Sequence, residues 1–207
     1  MKKIFFLFFV FFLLSSSLVA EVDLYFQAPL DFCSYPDVKE GVIDIIYLKI
    51  DDLWHKGEYN KIFPLLNLIT FISPKEETAW ELGGWFLINA IAPSYKGEKR
   101  EEIEKYGIEF FKKGIKENPE SYNLYWEIAW YYYNKGEYEK TLEYLNEAEK
   151  FSSDYKIKHL KGHTLIKVGN KDEAIKVWEE IKEKFPEYRN VAERIINELK
   201  EDIKNDY

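Results

Sequence analysis

The stretch that decides the fold of this chain, residues 125–150, reads YWEIAWYYYNKGEYEKTLEYLNEAEK. Apolar residues recur at Tyr125, Ile128, Ala129 and Tyr132, and this spacing of three and four residues places them on one face of a helix. Gly136 then ends the helix, because glycine adopts the positive φ of a helix end without steric cost. A second amphipathic segment follows, with an inner face formed by Tyr138, Leu142, Leu145 and Ala148. The stretch therefore predicts a hairpin of two helices.

The hairpin pattern recurs along the chain. Turns of the same type lie at Gly57, Gly136 and Gly169. Both Gly57 and Gly169 are followed 17 residues later by a proline, Pro74 or Pro186, so the two markers keep one phase. The 33 residues from Gly136 to Gly169 are close to the period of about 34 that characterises one class of helix-hairpin repeat. Four repeat units follow: 43–76, 77–121, 122–154 and 155–188.

With this period, the chain resembles the tetratricopeptide-repeat (TPR) family, whose pattern runs W-x2-L-G-x2-Y, then A-x3-F, then P. The fourth unit carries parts of the pattern at Gly162, Ala174 and Pro186, and the second unit opens with Trp80 and Gly84. The resemblance covers nearly everything after residue 42. It implies an all-α fold, a right-handed superhelical solenoid of about four hairpins.

The ends and one insertion complete the expected organisation. The amphipathic segment 189–207 is expected to form a capping helix and tail, since a stacked array needs a terminal helix with a polar back. Residues 21–42 are expected to form an extended lead-in. In the second unit, 11 extra residues around 92–98 are expected to form a loop in place of the tight turn.

The N-terminal segment 1–20 has the three successive regions of a secretory signal peptide. Lys2 and Lys3 precede an apolar run over 4–14, and small residues follow up to Ala20. The apolar run is shorter than the roughly 20 residues that span a bilayer, but its extension through Ala20 leaves an uncleaved membrane anchor as the alternative. Both alternatives place the rest of the chain outside the cytoplasm, in the periplasm or secreted. The first half also resembles exported bacterial repeat proteins of unknown function, through 51–54 and 83–85.

Composition excludes several classes of function. The net charge of −8 becomes −10 without the two N-terminal lysines, and so acidic a domain repels nucleic-acid phosphates. The single cysteine, Cys33, excludes an internal disulfide. Carboxylates alternate with lysines as on solvated helix faces, and the sequence contains no phosphate loop or nucleophile motif. We therefore expect neither enzymatic activity nor a cofactor.

His159 and His163 lie one helical turn apart, the spacing at which two imidazoles can share a zinc ion. Three neighbouring lysines, Lys156, Lys158 and Lys161, would repel a cation. We therefore interpret the two residues as a surface pair and expect no metal.

In an array of this kind, the first helix of each unit lines a concave surface. The groove positions of the family, carried over by phase, predict these partner-binding residues: Trp54, Trp85, Trp126, Trp130, Tyr133, Asn134, His159 and His163. Outward-facing aromatic and asparagine side chains suit a protein or peptide partner. The resemblance, together with the N-terminal segment, predicts an exported, non-enzymatic scaffold in an envelope-associated assembly. Two alternatives are a glycan or small ligand that stacks on the tryptophans and a groove filled by residues 21–42.

Overall fold

The computed structural model describes residues 35–205, and this part of the chain forms nine α-helices and no strand. The predicted all-α fold is therefore confirmed. The predicted signal peptide at 1–20 and most of the predicted lead-in, with Cys33, lie outside the described residues. None of the helices in the described range combines the length and the apolarity needed to cross a bilayer. The chain divides after Ser73 into two compact units.

The described part of the first unit, residues 35–73, forms one helix hairpin. Its helices are α1 (Pro36–His55) and α2 (Ile62–Ile72), joined through Gly57, whose φ is +70°, and a 3-10 turn at Tyr59–Lys61. The expectation of an extended lead-in up to residue 42 is wrong from Pro36 onward, because α1 begins there. Proline starts a helix well, since its ring already holds a helical φ and the first turn needs no amide donor from it.

The second unit begins with a hairpin that is longer than the others. Helix α3 (Glu77–Trp85) continues as a π-helix (Phe86–Ile91) and a 3-10 turn (Ala92–Ser94), and α4 (Glu98–Glu117) returns antiparallel to it. The expected loop over 92–98 is therefore present only at residues 95–97, and the other extra residues lengthen the helices. They remain helical because the segment is apolar and buries Phe86, Leu87 and Ala92.

Two further hairpins and a last helix follow. They are α5 (Tyr122–Lys135) with α6 (Tyr138–Glu149), and α7 (Tyr155–Lys167) with α8 (Lys171–Lys184). The hairpin turns at Gly136 and Gly169 have φ of +75° and +80°, as the sequence predicts. Helix α9 (Arg189–Asn205) packs on α8, as expected of a capping helix. It buries Ala192, Ile195, Ile196 and Leu199 in one cluster with Trp178 and Ile181.

Close contacts at glycine set the spacing between α3 and α4. A Cβ atom on Gly84 would lie 2.4 Å from a ring carbon of Phe111. A Cβ atom on Gly107 would lie 2.6 Å from Ile88 and 3.2 Å from the Gly84 carbonyl oxygen. The small residues therefore allow the approach of the two helices, as their positions in the sequence predict.

Candidate functional site

The first helices of the hairpins in the second unit form a row. Helix α3 contacts α5, and α5 contacts α7, in addition to the contacts within each hairpin. The row brings side chains from three repeat units onto one surface. Tetratricopeptide-type arrays use this surface for recognition, so the candidate site is built from it.

Three aromatic rings stack along α5. The Trp126 and Trp130 rings are 5.7 Å apart and nearly parallel, and the Tyr133 ring follows Trp130 at 5.9 Å. Ile128 and Ala129 lie on the packing face of the same helix and are completely buried. Trp130 is 40% exposed. Of the three rings, it is therefore the one that presents most surface to a ligand.

Trp126 is already engaged by the chain itself. Its indole Nε1 donates to the Lys156 carbonyl oxygen at 3.2 Å. The Lys156 ammonium lies 4.8 Å from the centre of the Trp126 ring and donates to Asn123 Oδ1 at 2.6 Å. A cation–π contact of this kind adds to the attraction between α5 and α7. Trp126 is thus half-buried and is not an open platform.

The histidines predicted as a surface pair are half-buried. Both rings meet the Trp178 ring edge-on, at 5.6 Å for His159 and 5.1 Å for His163. Burial lowers the pKa of both imidazoles, and for His163 the neighbouring His159 and Lys167 lower it further. They are therefore part of the contact between α7 and α8. Over residues 35–205, no group of three potential ligands is placed to hold a metal ion.

The other predicted residues occupy three different places. Trp54 belongs to the first unit, where its ring lies 5.2 Å from Tyr59 and is 45% exposed. Trp85 ends α3, is 37% exposed and meets Phe86 edge-on. Asn134 is exposed at the end of α5, where its Nδ2 donates to the Trp130 carbonyl oxygen at 2.9 Å. Asn134 therefore lies one helical turn beyond Trp130 on α5, and Trp85 lies on α3, which contacts α5.

A cleft of about 260 Å³ opens between the α3 extension, α4 and α5. Trp130 and Asn134 line it from α5, together with Asn89 from the π-helix and Glu104 from α4. The volume is below the roughly 300–1,000 Å³ of pockets for drug-sized ligands. The cleft therefore has the dimensions for one side chain of a larger ligand.

Glu104 is buried in this cleft and fully paired. Its carboxylate accepts from Arg100 Nε at 2.9 Å, from Lys135 Nζ at 2.5 Å and from the Tyr131 hydroxyl at 3.3 Å. Burial acts to raise the pKa of Glu104, but the bonds from Lys135 and Arg100 outweigh burial and hold it below its usual value. Burial and the Glu104 charge raise the pKa of Tyr131 to about 12. This network ties α4 to α5, and the lowered pKa keeps the Glu104 carboxylate ionised at neutral pH.

Glu127 lines the same cleft without such partners. Among the described residues, no ion pair or hydrogen bond reaches its carboxylate. Burial, with a smaller contribution from Glu81, raises the pKa of Glu127 to about 7, although Lys156 acts in the opposite direction. Burial also raises the pKa of Glu81, with Glu77 adding to the shift and Lys156 opposing it. A half-buried carboxylate of this kind is strongly stabilised by a cation.

Glu127 and Glu104 are absent from the residues that the sequence predicts for the site. The helical phase could have indicated Glu127, because it lies three residues before Trp130 and seven before Asn134, on their face of α5. Glu104 gives no such signal. It lies in a run of alternating charges over 98–105 that has the appearance of a solvated helix face.

Comparison with known proteins places the fold among helical repeats. The model of a family described as "Anaphase-promoting complex, cyclosome, subunit 3" matches residues 109–181. No curated protein matches the sequence. Among solved structures, the chain is similar to a thermophilic TPR protein of Thermus thermophilus, with 17% sequence identity and a TM-score of 0.60. That similarity covers 87% of this chain and 95% of the other.

Proposed function

Because this chain is a tetratricopeptide-repeat protein by its fold, we propose that it is a non-enzymatic scaffold that holds a protein or peptide partner. Stacked helix hairpins of this type present an extended concave surface on which partners bind. The binding surface is the one formed by α3, α5 and α7. The partner contacts it through Trp130, Tyr133, Asn134 and Trp85.

The observation that carries the proposal is the exposed ring of Trp130 beside a cleft. Buried contacts of tryptophan contribute more to protein interfaces than those of most other residues. Trp130 is 40% exposed although Ile128 and Ala129 already fill the packing face of α5. Its ring is therefore available to a partner, and the cleft beside it gives room for a side chain of that partner.

A pull-down from envelope extract, with the chain as bait, tests this function. We expect Trp130→Ala to lose the partner that the native chain retains, with binding weaker by about 2 kcal/mol or more if the ring is an anchor. Tyr106→Ala is the matched control, because Tyr106 on α4 is 45% exposed and lies outside the cleft. Equal retention by all three chains would contradict the proposal.

Binding of a glycan to stacked tryptophans is the alternative, and hydrogen exchange distinguishes it from binding of a peptide. The near-parallel rings of Trp126 and Trp130 favour it, but Lys156 covers the Trp126 ring. A sugar ligand would protect only the neighbourhood of these two rings from hydrogen exchange. A peptide would protect a strip along α3, α5 and α7.

The place of action that we propose is outside the cytoplasm. The support is the order of residues in 1–20, where two lysines are followed by an apolar run and then by small residues. An envelope-associated assembly would suit a scaffold exported in this way. Mass spectrometry of the native protein tests the proposal through its N-terminus. A mature chain that begins near residue 18 or 21 is expected, whereas an intact Met1 in a soluble cytoplasmic fraction would contradict export.

A further inference from the structure

One pair of residues occurs twice on the candidate surface. Trp85 is followed by Asn89 and Trp130 by Asn134, in both cases four residues later on the first helix of a hairpin. In both pairs the asparagine Nδ2 donates to the tryptophan carbonyl oxygen, at 3.2 Å and 2.9 Å. Two consecutive repeat units therefore present an exposed indole and an exposed amide in the same relative arrangement.

The amides in these pairs suit the backbone of an extended peptide. Each asparagine uses one amide hydrogen within its own helix and retains a second hydrogen and an acceptor oxygen. Asn89 and Asn134 both line the cleft beside Trp130. Amide groups that are repeated along a groove can pair with the successive N–H and C=O groups of a strand, while side-chain pockets between them read the sequence of the ligand.

The charges around the cleft select the side chain that enters it. On α4 and α5, Arg100 and Lys135 are paired with Glu104. From α7, the Lys156 ammonium is held by Asn123. Two carboxylates, Glu127 on α5 and Glu81 on α3, have no ion pair or hydrogen bond within residues 35–205. The charged groups at this surface that lack a partner are therefore these two carboxylates.

The chain shows how a cation binds this aromatic row. The Lys156 ammonium lies over the rings of both Trp126 and Tyr122, at 4.8 Å and 5.2 Å from their centres. The next ring in the row, Trp130, has no such cation within the described residues and lies three residues from Glu127. A second basic side chain, supplied by a ligand, would make the same cation–π contact with Trp130, the next ring of the row.

We propose that the cleft of the second unit binds an extended peptide through an arginine or lysine side chain, whose stem packs on Trp130 and whose cation pairs with Glu127. The inference rests on the proposed scaffold function and names the chemistry of its partner. Asn89 and Asn134 bind the backbone on either side of the basic residue. The raised pKa of Glu127 adds a pH dependence, because the carboxylate must lose its proton to pair with the cation.

Three blocked peptides test the inference by NMR titration of the Trp130 indole N–H signal, which a Trp130→Phe variant assigns. Their sequences are Gly-Gly-Arg-Gly-Gly, the same with citrulline for arginine, and the same with glutamate. Citrulline keeps the shape of arginine without its charge. We expect the arginine peptide to bind at least tenfold more tightly than either of the others. We also expect its affinity to rise between pH 6 and pH 8, as Glu127 ionises.

Glu127→Gln should reduce the affinity for the arginine peptide at least tenfold and remove its pH dependence. Glu139→Gln is the matched control, because it removes the same charge from an exposed position on α6 and should leave binding unchanged. Equal binding of the three peptides, or an equal effect of the two glutamine variants, would overturn the inference. A partner whose retention in the pull-down depends on Trp130 would then still support the scaffold function, so the two failures are distinguishable.

Discussion

At the scale of single residues, the two glutamates of the cleft show how partners decide the state of a carboxyl group. Glu104 is the more deeply buried of the two, yet its pKa lies below the usual value because Arg100 and Lys135 donate to it. Glu127 keeps more exposure, and its pKa rises to about 7 because burial, with a smaller contribution from Glu81, outweighs the opposing effect of Lys156. The first is a structural link between helices, and the second is available to a ligand.

The raised pKa of Glu127 predicts a pH-dependent gain in stability for Glu127→Gln. The native protein binds this proton more tightly than the unfolded chain, whose glutamate pKa is about 4.3, so its stability falls as pH rises from there through 7. Glutamine removes the cost of the buried charge. We expect the variant to be more stable at pH 8 by on the order of 1–3 kcal/mol, with a smaller gain at pH 5.

Urea unfolding at the two pH values measures this difference. Glu139→Gln serves again as control, and its effect should stay within about 0.5 kcal/mol at both pH values, as for most exposed substitutions. A gain for Glu127→Gln that is the same at pH 5 and pH 8 would show that the carboxylate is not desolvated in the native protein.

At the scale of elements, the long hairpin of α3 and α4 forms one wall of the cleft. The π-helix at Phe86–Ile91 extends α3 and carries Asn89 into the cleft. π-Helical turns within α-helices are rare and frequently occur at functional sites. The 11 additional residues therefore contribute to the binding surface, which a tight turn would leave shorter.

Gly84→Ala tests the close approach on which this wall depends. A Cβ atom at this position would lie 2.4 Å from the Phe111 ring, so either the ring or the helix must move. We expect a loss of stability of about 1–3 kcal/mol, as for other overpacked cores. Thermal unfolding measures it.

Gly41→Ala is the natural comparison for that measurement. Gly41 is an exposed residue within α1, and a methyl group added there would lie more than 4 Å from the other atoms of residues 35–205, apart from its own helix backbone and chain neighbours. Alanine at this position should stabilise its helix by about 0.5–1 kcal/mol, through helix propensity alone. A gain of stability in both variants would contradict the close packing of α3 on α4.

At the scale of the whole molecule, stability is distributed along a stack. Within the second unit, successive hairpins pack on one another, and α9 covers the last one. In such arrays each repeat depends on nearest-neighbour interfaces, so damage at one end is felt most strongly there. The capping helix is therefore expected to determine how readily the C-terminal hairpin opens.

Ile196→Ala tests this dependence. Ile196 is buried in the cluster that joins α9 to Trp178 and Ile181, so its truncation should cost about 2–5 kcal/mol. In native-state hydrogen exchange, we expect faster exchange in α7, α8 and α9 and little change in α3 and α4. A uniform increase across all helices would show that the unit opens as a single body.

The sequence by itself determined the helices and their hairpins, because these depend on local signals. The spacing of apolar residues along 125–150, the glycines at positive φ and the prolines beyond α2, α4 and α8 act over a few residues, so they can be recognised without a structure. The same signals placed Trp126, Trp130 and Tyr133 on one face of α5. Within residues 35–205, the start of α1 and the shortened loop at 92–98 differ from those expectations.

The tertiary structure decided which of these residues a ligand can reach. Lys156 covers the Trp126 ring although it lies 30 residues away in the sequence. Lys135 on α5 pairs with Glu104 on α4. The Trp178 ring makes T-shaped contacts with both histidine rings. Each of these contacts depends on the distance between residues of different helices. Periodicity along one helix contains no information about that distance. For this reason the unpaired Glu127 and the open Trp130 emerge only when the hairpins are packed together.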